Sequence, residues 1–211
     1  MNKNILPLQK DGDFEEKDKG RGLVFVVSSP SGGGKTSIVN VAVESIPNLE
    51  KSISCTTRPP RPGELNNIDY TFIDRQKFEQ MIAENSLLEW AEVYGNLYGT
   101  QAGPINKNRA QGIDTIMTIE IQGARSVTRK FREAVTIFIQ SPSLEILENR
   151  LRESNADTED VIEQRLRHAK DELAWGNEYD YTVLNKDFDL SVDELKAIII
   201  AERCRVRRNS G

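Results

Sequence analysis

A run of three glycines followed by a lysine and a threonine is the first place in the chain where chemistry is expected. Glycines carry no Cβ, so the backbone N–H groups of such a run can approach a chain of phosphates closely. Lys35 can then reach the β and γ phosphates of a nucleoside triphosphate, and the Thr36 hydroxyl can bind Mg²⁺. The segment therefore predicts a triphosphate site. Its expected members are Ser29, Pro30, Ser31, Gly32, Gly33, Gly34, Lys35, Thr36 and Ser37.

This loop follows the pattern G-x-x-x-x-G-K-[ST] except at its first position, where Ser29 replaces a glycine. We expect the serine to reduce backbone freedom at the entrance to the loop. The loop alone does not identify the phosphate acceptor, and many GTPases share it. The sequence N-K-x-D, with which GTPases usually read guanine, is incomplete here because Phe188 stands in the place of the aspartate. A GTP-dependent switch is therefore disfavoured.

A second group of polar side chains lies in the segment SISCTTRPPRPGELNNIDYTF at residues 52–72. Arg58 and Arg61 flank two prolines, which stiffen the loop between them. Their guanidinium groups can converge on one phosphate, a geometry that suits arginine better than lysine, and Tyr70 can add a hydroxyl. Taken alone, the segment would favour surface charges in a proline-rich turn. Beside a triphosphate loop, it predicts the phosphate site of an acceptor.

The elements that must position these groups are those of a parallel sheet covered by helices. The apolar run GLVFVVSS has the length of a buried strand, and the segment after the glycine loop has helical spacing. Further apolar runs alternate with helical patterns, which is typical of α/β folds. The expected strands lie at residues 22–29, 113–119, 134–140 and 181–184, and the expected helices at 37–46 and 122–133.

The chain has the length of one catalytic core with small insertions. We predict a flexible tail at residues 1–20 and a core made of residues 21–53 and 103–208. Residues 54–102 differ in character, with short strand-like and helical segments, and are predicted to form an inserted substrate domain. A polar stretch within residues 150–165 is predicted to be a lid over the reacting phosphates, although a plain helix–helix turn explains it equally well.

Composition argues against several classes of function. A formal net charge of −5 disfavours a protein that coats nucleic acid, because such proteins usually need a basic surface. No apolar run approaches the roughly 18 residues of a membrane-spanning helix, so no membrane partner is expected. Cys55 and Cys204 lie in unrelated segments without metal-type spacing, which favours the reducing cytoplasm. The sequence leaves the oligomeric state open between monomer and homodimer.

These segments together resemble the guanylate kinase family. The family's acceptor segment reads S-x-T-T-R-x-P-R-x-G-E and is followed by D-Y-x-F, by E-W and by Y-G-T or Y-G-S. The corresponding residues here are 54–64, 69–72, 89–90 and 98–100, in the same order. The resemblance extends over nearly the whole chain outside the tail. It implies a three-layer α/β P-loop fold with an inserted GMP-binding subdomain and a lid.

The resemblance also implies an activity, the phosphorylation of GMP, and of dGMP, by ATP and Mg²⁺ in purine nucleotide metabolism. Guanine presents N–H donors at N1 and N2 and an acceptor at O6, which a carboxylate and hydroxyl groups can match. Glu89 is thus expected to accept from N1–H and N2–H, with Ser54 and Thr100 near O6. The GMP phosphate is expected to be held by Arg58, Arg61, Tyr70 and Tyr98.

Further roles that the resemblance implies concern the donor and the transfer step. Glu120 is expected near a nucleotide or its metal ion. Asn185 resembles a family residue near the adenine and ribose of ATP, although a turn-forming asparagine is an equally good explanation. The expected catalytic residues are Lys35, Arg58, Arg150 and Arg165.

The chain departs from the family pattern at two further positions. Thr118 replaces an aspartate before a Q-G element, so no role is carried over to it, and Ser154 replaces a lid arginine. Two other functions stay open: a guanylate-kinase-like interaction module with a decayed nucleotide site, and a kinase for another nucleotide or a sugar phosphate. Retention of Lys35 and the acceptor arginines argues against the first, and Glu89 with Thr100 argues against the second.

Overall fold

The structure is a computed structural model that describes residues 21–30, 32–93, 95–153 and 159–206. The predicted tail at residues 1–20 and the predicted loop residue Ser31 lie outside the described residues. Residues 154–158 of the predicted lid, which include Ser154, lie outside them as well. Within the described ranges the chain forms a five-stranded sheet, a four-stranded sheet and seven α-helices.

Nine strands are present in the described part of the chain. In chain order they are β1 (Val24–Ser28), β2 (Leu49–Lys51), β3 (Cys55–Thr56), β4 (Thr71–Phe72), β5 (Leu87–Val93), β6 (Asn96–Gln101), β7 (Asp114–Thr118), β8 (Val135–Gln140) and β9 (Tyr181–Leu184). The five-stranded sheet has the order β2-β7-β1-β8-β9, and every neighbouring pair in it is parallel. The predicted α/β fold class with a parallel sheet is confirmed.

Helices connect the strands. They are α1 (Lys35–Ser45), α2 (Arg75–Ala83), α3 (Ala102–Ala110), α4 (Ile121–Lys130), α5 (Leu144–Glu153), α6 (Glu159–Ala174) and α7 (Phe188–Arg203), with a short 3₁₀ helix at Trp175–Glu178. The helix α3 was not predicted, because Gly103 and Pro104 in its first turn are typical of a loop. Proline is tolerated there because the first N–H groups of a helix have no partner within it.

The central sheet has apolar side chains on both faces, which is why its strands read as continuous apolar runs. All five residues of β1 are buried. Phe25 and Val27 pack on one face against residues of α1 and α7, such as Ile38 and Leu195. Val24 and Val26 pack on the opposite face with residues of α3 and α4. The sheet and the helices on its two faces form three layers, and β1 is the middle strand of the sheet.

The second sheet is built entirely within residues 55–101. Its order is β4-β3-β6-β5, with β3 and β4 parallel and the other pairs antiparallel. The helix α2 begins at the Asp74 cap, whose carboxylate accepts from the Lys77 N–H, and it buries Phe78 and Met81 against the sheet. That residues 54–102 form a GMP-binding subdomain stays a prediction.

The helices α5 and α6 flank the predicted lid. Leu147 and Leu151 of α5 pack with Ile162 and Ala169 of α6, so the two helices form a pair on either side of residues 154–158. None of the helices in the described ranges combines the length and the apolar character needed to cross a membrane.

Candidate active site

One cleft, with a volume of about 400 Å³, is lined by both of the segments in which chemistry is expected. Lys35 lies in its wall together with Arg58 and Arg61, so the two predicted anion sites open into the same space. Glu89, Thr100 and Asn185 are buried and are not among the residues that line the cleft. The predicted site residues that line the cleft are Ser29, Pro30, Gly32, Gly33, Gly34, Lys35, Thr36, Ser37, Ser54, Arg58, Arg61, Tyr70, Tyr98, Glu120, Arg150 and Arg165.

The phosphate loop needs glycine at two positions for two separate reasons. Gly32 has φ +84° and Gly34 has φ +88°, a left-handed conformation that costs little only for glycine. A Cβ on Gly34 would also lie 2.7 Å from Asn185 Nδ2, and one on Gly32 would lie 2.9 Å from Leu151 Cδ2. The loop therefore keeps its backbone next to the start of α1, where N–H groups without helical partners can bind an anion.

Ser29 fits the loop without backbone strain. Left-handed φ values at residues other than glycine occur, among the described positions, only at Asn48, Asn67 and Asn85. The buried Ser29 side chain donates from Oγ to Pro30 O at 3.0 Å and sits against Gly33, where a Cβ would lie 2.9 Å from its own. The loss of backbone freedom expected at position 29 therefore does not produce a strained backbone conformation.

Asn185 is hydrogen-bonded to the phosphate loop. Its Nδ2 donates to Gly33 O at 2.9 Å, and Ser191 Oγ donates to its Oδ1 at 3.4 Å. Arg150 Nη2 donates to the backbone oxygen of the same residue at 3.2 Å. Because its buried side chain bonds the loop, Asn185 fixes the loop's shape, and its expected contact with adenine or ribose stays a prediction.

Lys35 and Glu120 form an ion pair on the wall of the cleft, with Nζ 3.0 Å from Oε1. Glu120 lies two residues after the end of β7, at the N-cap position of α4. Because β7 pairs in parallel with β1, this position is beside the loop that follows β1. Thr36 lines the same cleft. In the described part of the chain no three His, Cys, Asp or Glu side chains cluster to hold a metal.

This donor set fits Mg²⁺. Magnesium is usually held by one or two protein oxygens, several waters and the phosphates of its substrate, and rarely by a complete protein cage. The Thr36 hydroxyl and the Glu120 carboxylate are oxygen donors of this kind, and both line the cleft.

Arg58, which is predicted to bind the acceptor phosphate, is held in place by Glu64, a residue to which the sequence assigned no role. Glu64 accepts from Arg58 Nη1 at 2.9 Å, from Nη2 at 2.8 Å and from the Arg61 backbone N–H at 2.7 Å. The Arg58 guanidinium also lies over the rings of Tyr70 and Phe72, 5.6 Å and 5.8 Å from their centres. Hydrogen bonds from Arg58 hold the pKa of Glu64 below its usual range, so this brace stays charged.

Two tyrosines lie in the cleft wall beside Arg58. Tyr70 and Tyr98 both line the cleft, and their rings meet edge to face with centres 6.0 Å apart. Burial raises the pKa of Tyr70, so its hydroxyl remains protonated and can donate to an anion.

Glu89 is a buried carboxylate at a place fixed by strand register. On the paired strands β5 and β6 it lies opposite Thr100, whose Oγ1 donates to Glu89 Oε1 at 2.7 Å. Ser54, which precedes β3, brings its Oγ to 3.2 Å from the same Thr100 oxygen and lines the cleft. Burial raises the pKa of Glu89 to about 7, while the Thr100 hydrogen bond opposes that rise. Glu89, Thr100 and Ser54, which are expected to bind guanine, are thus linked through the Thr100 hydroxyl.

Arg150 and Arg165 reach the cleft from the helix pair α5 and α6. Arg150 Nη1 is buried and has no hydrogen-bond partner among the described residues. Buried donors are nearly always paired, so this group is suited to an anion in the cleft. Arg150 and Arg165 thus add positive charge to the cleft that Lys35 also lines.

Comparison with known proteins decides the family. The family model "Guanylate kinase" matches residues 21–202. The chain is 43% identical over 190 residues to the guanylate kinase of Geobacter sulfurreducens, an alignment that covers 90% of this chain and 94% of that protein. It is 46% identical over 188 residues to the guanylate kinase of Carboxydothermus hydrogenoformans, covering 89% and 92%. The chain belongs to the guanylate kinase family.

A solved structure of this family has the same fold. The crystal structure of guanylate kinase from Anaplasma phagocytophilum is 34% identical in sequence, superposes with a TM-score of 0.76 and covers 89% of each chain. Of the departures from the guanylate kinase pattern, Thr118 lies at the end of β7 and lines the cleft.

Proposed function

We propose that the chain transfers the γ phosphate of ATP to GMP, and to dGMP, giving ADP and GDP or dGDP. The observation that carries this proposal is the single cleft whose wall contains the phosphate loop with Lys35 and the acceptor arginines Arg58 and Arg61. Two phosphate sites in one water-accessible space suit a kinase whose acceptor is itself a phosphate.

The donor half of the site would bind ATP mainly through backbone groups. The N–H groups of the loop and of the first turn of α1 contact the phosphates, and Lys35 exchanges its bond with Glu120 for a phosphate oxygen. Thr36 and Glu120 would hold Mg²⁺, directly or through water, and the bound ion neutralises phosphate charge.

The acceptor half would bind GMP through side chains. Arg58, aligned by Glu64, and Arg61 hold the phosphate together with the two tyrosine hydroxyls. Glu89 accepts from guanine N1–H and N2–H, with Thr100 and Ser54 beside it. Adenine has no matching donors, so it would leave the buried carboxylate unsatisfied, which costs a few kcal/mol.

The transfer step needs no nucleophilic side chain. An oxygen of the GMP phosphate forms a bond to the γ phosphorus as the bond from that phosphorus to the bridging oxygen breaks, and the electron pair leaves with ADP. Lys35, Arg58, Arg150 and Arg165 surround the cleft and would stabilise the charge on the migrating group. Closure by the lid predicted within residues 150–165 would keep water from acting as the acceptor.

A coupled ADP-release assay with ATP and Mg²⁺ tests this function. GMP, dGMP, AMP, CMP and dTMP are offered in parallel as acceptors. The proposal predicts turnover with GMP and dGMP and little with the others. Preference for another acceptor would contradict the GMP assignment, and no turnover with any acceptor would favour an interaction module. The cytoplasmic location and the monomeric or homodimeric state stay predictions.

A further inference from the structure

The first turn of α4 touches the carboxylate that is proposed to read guanine. Gly123 is buried, and a Cβ built on it would lie 2.5 Å from Glu89 Oε2 and 3.1 Å from Glu89 Cδ. Carbon and oxygen atoms that are not bonded do not approach to 2.5 Å, so any residue larger than glycine at position 123 must displace this carboxylate. Nothing in the backbone conformation demands glycine here, because Gly123 is not among the residues with positive φ.

The other oxygen of the same carboxylate is fixed as well. Thr100 Oγ1 donates to Glu89 Oε1 at 2.7 Å, and Glu89 is only 6% exposed. The Glu89 side chain is therefore held between a hydroxyl on β6 and the bare α carbon of Gly123 on α4. Its orientation depends on both contacts.

The helix that carries Gly123 is anchored to the strand that carries Glu89. Lys130, at the far end of α4, donates from Nζ to the backbone oxygens of Leu87 at 3.3 Å and Leu88 at 2.5 Å. Leu88 also packs in one apolar cluster with Val127 of α4. Because these contacts hold α4 against β5, a side chain added at position 123 cannot be relieved simply by moving the helix away.

We propose that Gly123 is a specificity-determining position, which sets the orientation of the Glu89 carboxylate and thereby the selection of guanine. The proposal rests on the proposed function of the site, since it concerns the same acceptor pocket. Gly123 acts through Glu89 and is a positioning residue, not a catalytic one.

A structural effect and a specificity effect can be separated at this position. The atom that a new Cβ would meet is a terminal oxygen of a long side chain and not a backbone atom, so the carboxylate shifts while the backbone stays in place. Alanine is also favoured over glycine within a helix. The variant Gly123→Ala is therefore expected to keep the melting temperature of the wild-type protein and to lose guanine selection.

The test compares steady-state kinetics of Gly123→Ala with those of wild type. We expect KM for GMP to rise about tenfold to 100-fold, as for other displacements of about 1 Å in a binding site, with KM for ATP changed less than about twofold. The matched control is Gly103→Ala in the first turn of α3, where a Cβ would have no atom within 4 Å. That variant should match wild type for both substrates.

A rescue variant sharpens the test. Shortening the acid by Glu89→Asp withdraws the carboxylate from position 123, so the double variant Gly123→Ala with Glu89→Asp should bind GMP better than the product of the two single effects predicts. An unchanged KM for GMP in Gly123→Ala, equal losses for GMP and ATP, or strictly independent effects in the double variant would each overturn the proposal.

Failure of this proposal can be distinguished from failure of the proposed function. If wild type phosphorylates GMP selectively and Gly123→Ala does the same with equal KM, only the role of Gly123 falls. If wild type neither binds GMP by calorimetry nor phosphorylates it, the proposed function falls and the role of Gly123 falls with it.

Discussion

The donor half and the acceptor half of the cleft are built by different means. The phosphate loop is one continuous segment whose expected contacts are backbone N–H groups, shaped by Gly32 and Gly34 in a left-handed conformation. The acceptor half consists of side chains from separate elements. For example, Ser54 and Thr100 lie 46 positions apart in sequence, but Ser54 Oγ is 3.2 Å from Thr100 Oγ1. Local sequence thus determines the first half, whereas strand register determines the second.

This difference predicts different responses to mutation. Backbone N–H groups cannot be deleted by changing side chains, so the donor half has few positions where a substitution removes a contact. The acceptor half can be altered one contact at a time. Variants there should change the choice and affinity of the acceptor and leave ATP binding intact.

The largest effect is expected for Lys35→Ala, the one side chain of the loop that is expected to reach the transferring phosphate. Its loss should lower kcat by about 10³-fold, the scale seen when one charge-stabilising donor is removed. The melting temperature should change little, because the side chain lies at the cleft wall. Lys196→Ala, which removes a partly exposed lysine on α7 that does not line the cleft, is the control and should retain full activity. Near wild-type kcat in Lys35→Ala would refute the assigned role.

The next effect is expected for Glu89→Gln in the acceptor half. The amide cannot accept from N1–H and N2–H together, so kcat/KM for GMP should fall about 10²-fold while KM for ATP is kept. Glu92→Gln, an exposed position of the same strand β5, serves as the matched control. Equal losses for GMP and ATP in Glu89→Gln would remove the argument for base reading.

A smaller effect is expected for Glu64→Gln, which tests the brace of the acceptor arginine. The variant keeps the size of the side chain and removes the charge that aligns Arg58, so KM for GMP should rise about tenfold. ATP binding should be unaffected. A calorimetric affinity for GMP equal to that of wild type would show that Arg58 is aligned without Glu64.

The smallest effect concerns pH. Burial raises the pKa of Glu89 to about 7, with the nearby Glu120 carboxylate adding to the rise and Lys130 opposing it. Below that pH the carboxyl is protonated and no longer accepts from both guanine donors. KM for GMP should therefore rise about threefold as pH falls from about 7.5 to 6.5. Glu89→Gln should keep only the part of the dependence that comes from the GMP phosphate, whose own pKa is about 6. Identical pH profiles for wild type and Glu89→Gln would contradict the role of the Glu89 carboxylate.

Sequence predicted those features that depend on neighbouring residues. The strand β9 lies at the predicted residues 181–184, and β1 lies inside the predicted run, because buried parallel strands are apolar on both faces. The phosphate loop was predictable because its strand, glycines and helix follow one another directly in the sequence. The family resemblance implies roles for both Glu89 and Thr100, although nothing local in the sequence links the two residues.

Features that depend on three-dimensional contacts were not predicted. Glu64 belongs to the motif at residues 54–64, but its bond to Arg58 follows from the turn at Gly63, which has φ +87°. Gly123 stood in a recognised Q-G element, but its role depends on how α4 packs against β5. The amide of Asn185 bonds the loop carbonyl of Gly33 across 152 positions of sequence.

The claim that two nucleotide sites share one cleft can be tested in a single binding measurement. A molecule in which adenosine and guanosine are joined 5′ to 5′ through a chain of phosphates can occupy both halves only if they face each other. Calorimetry should show that it binds at least about 10²-fold more tightly than ATP or GMP alone, because the second contact becomes intramolecular. An affinity no better than that of ATP, and unchanged by Arg58→Ala, would contradict the account.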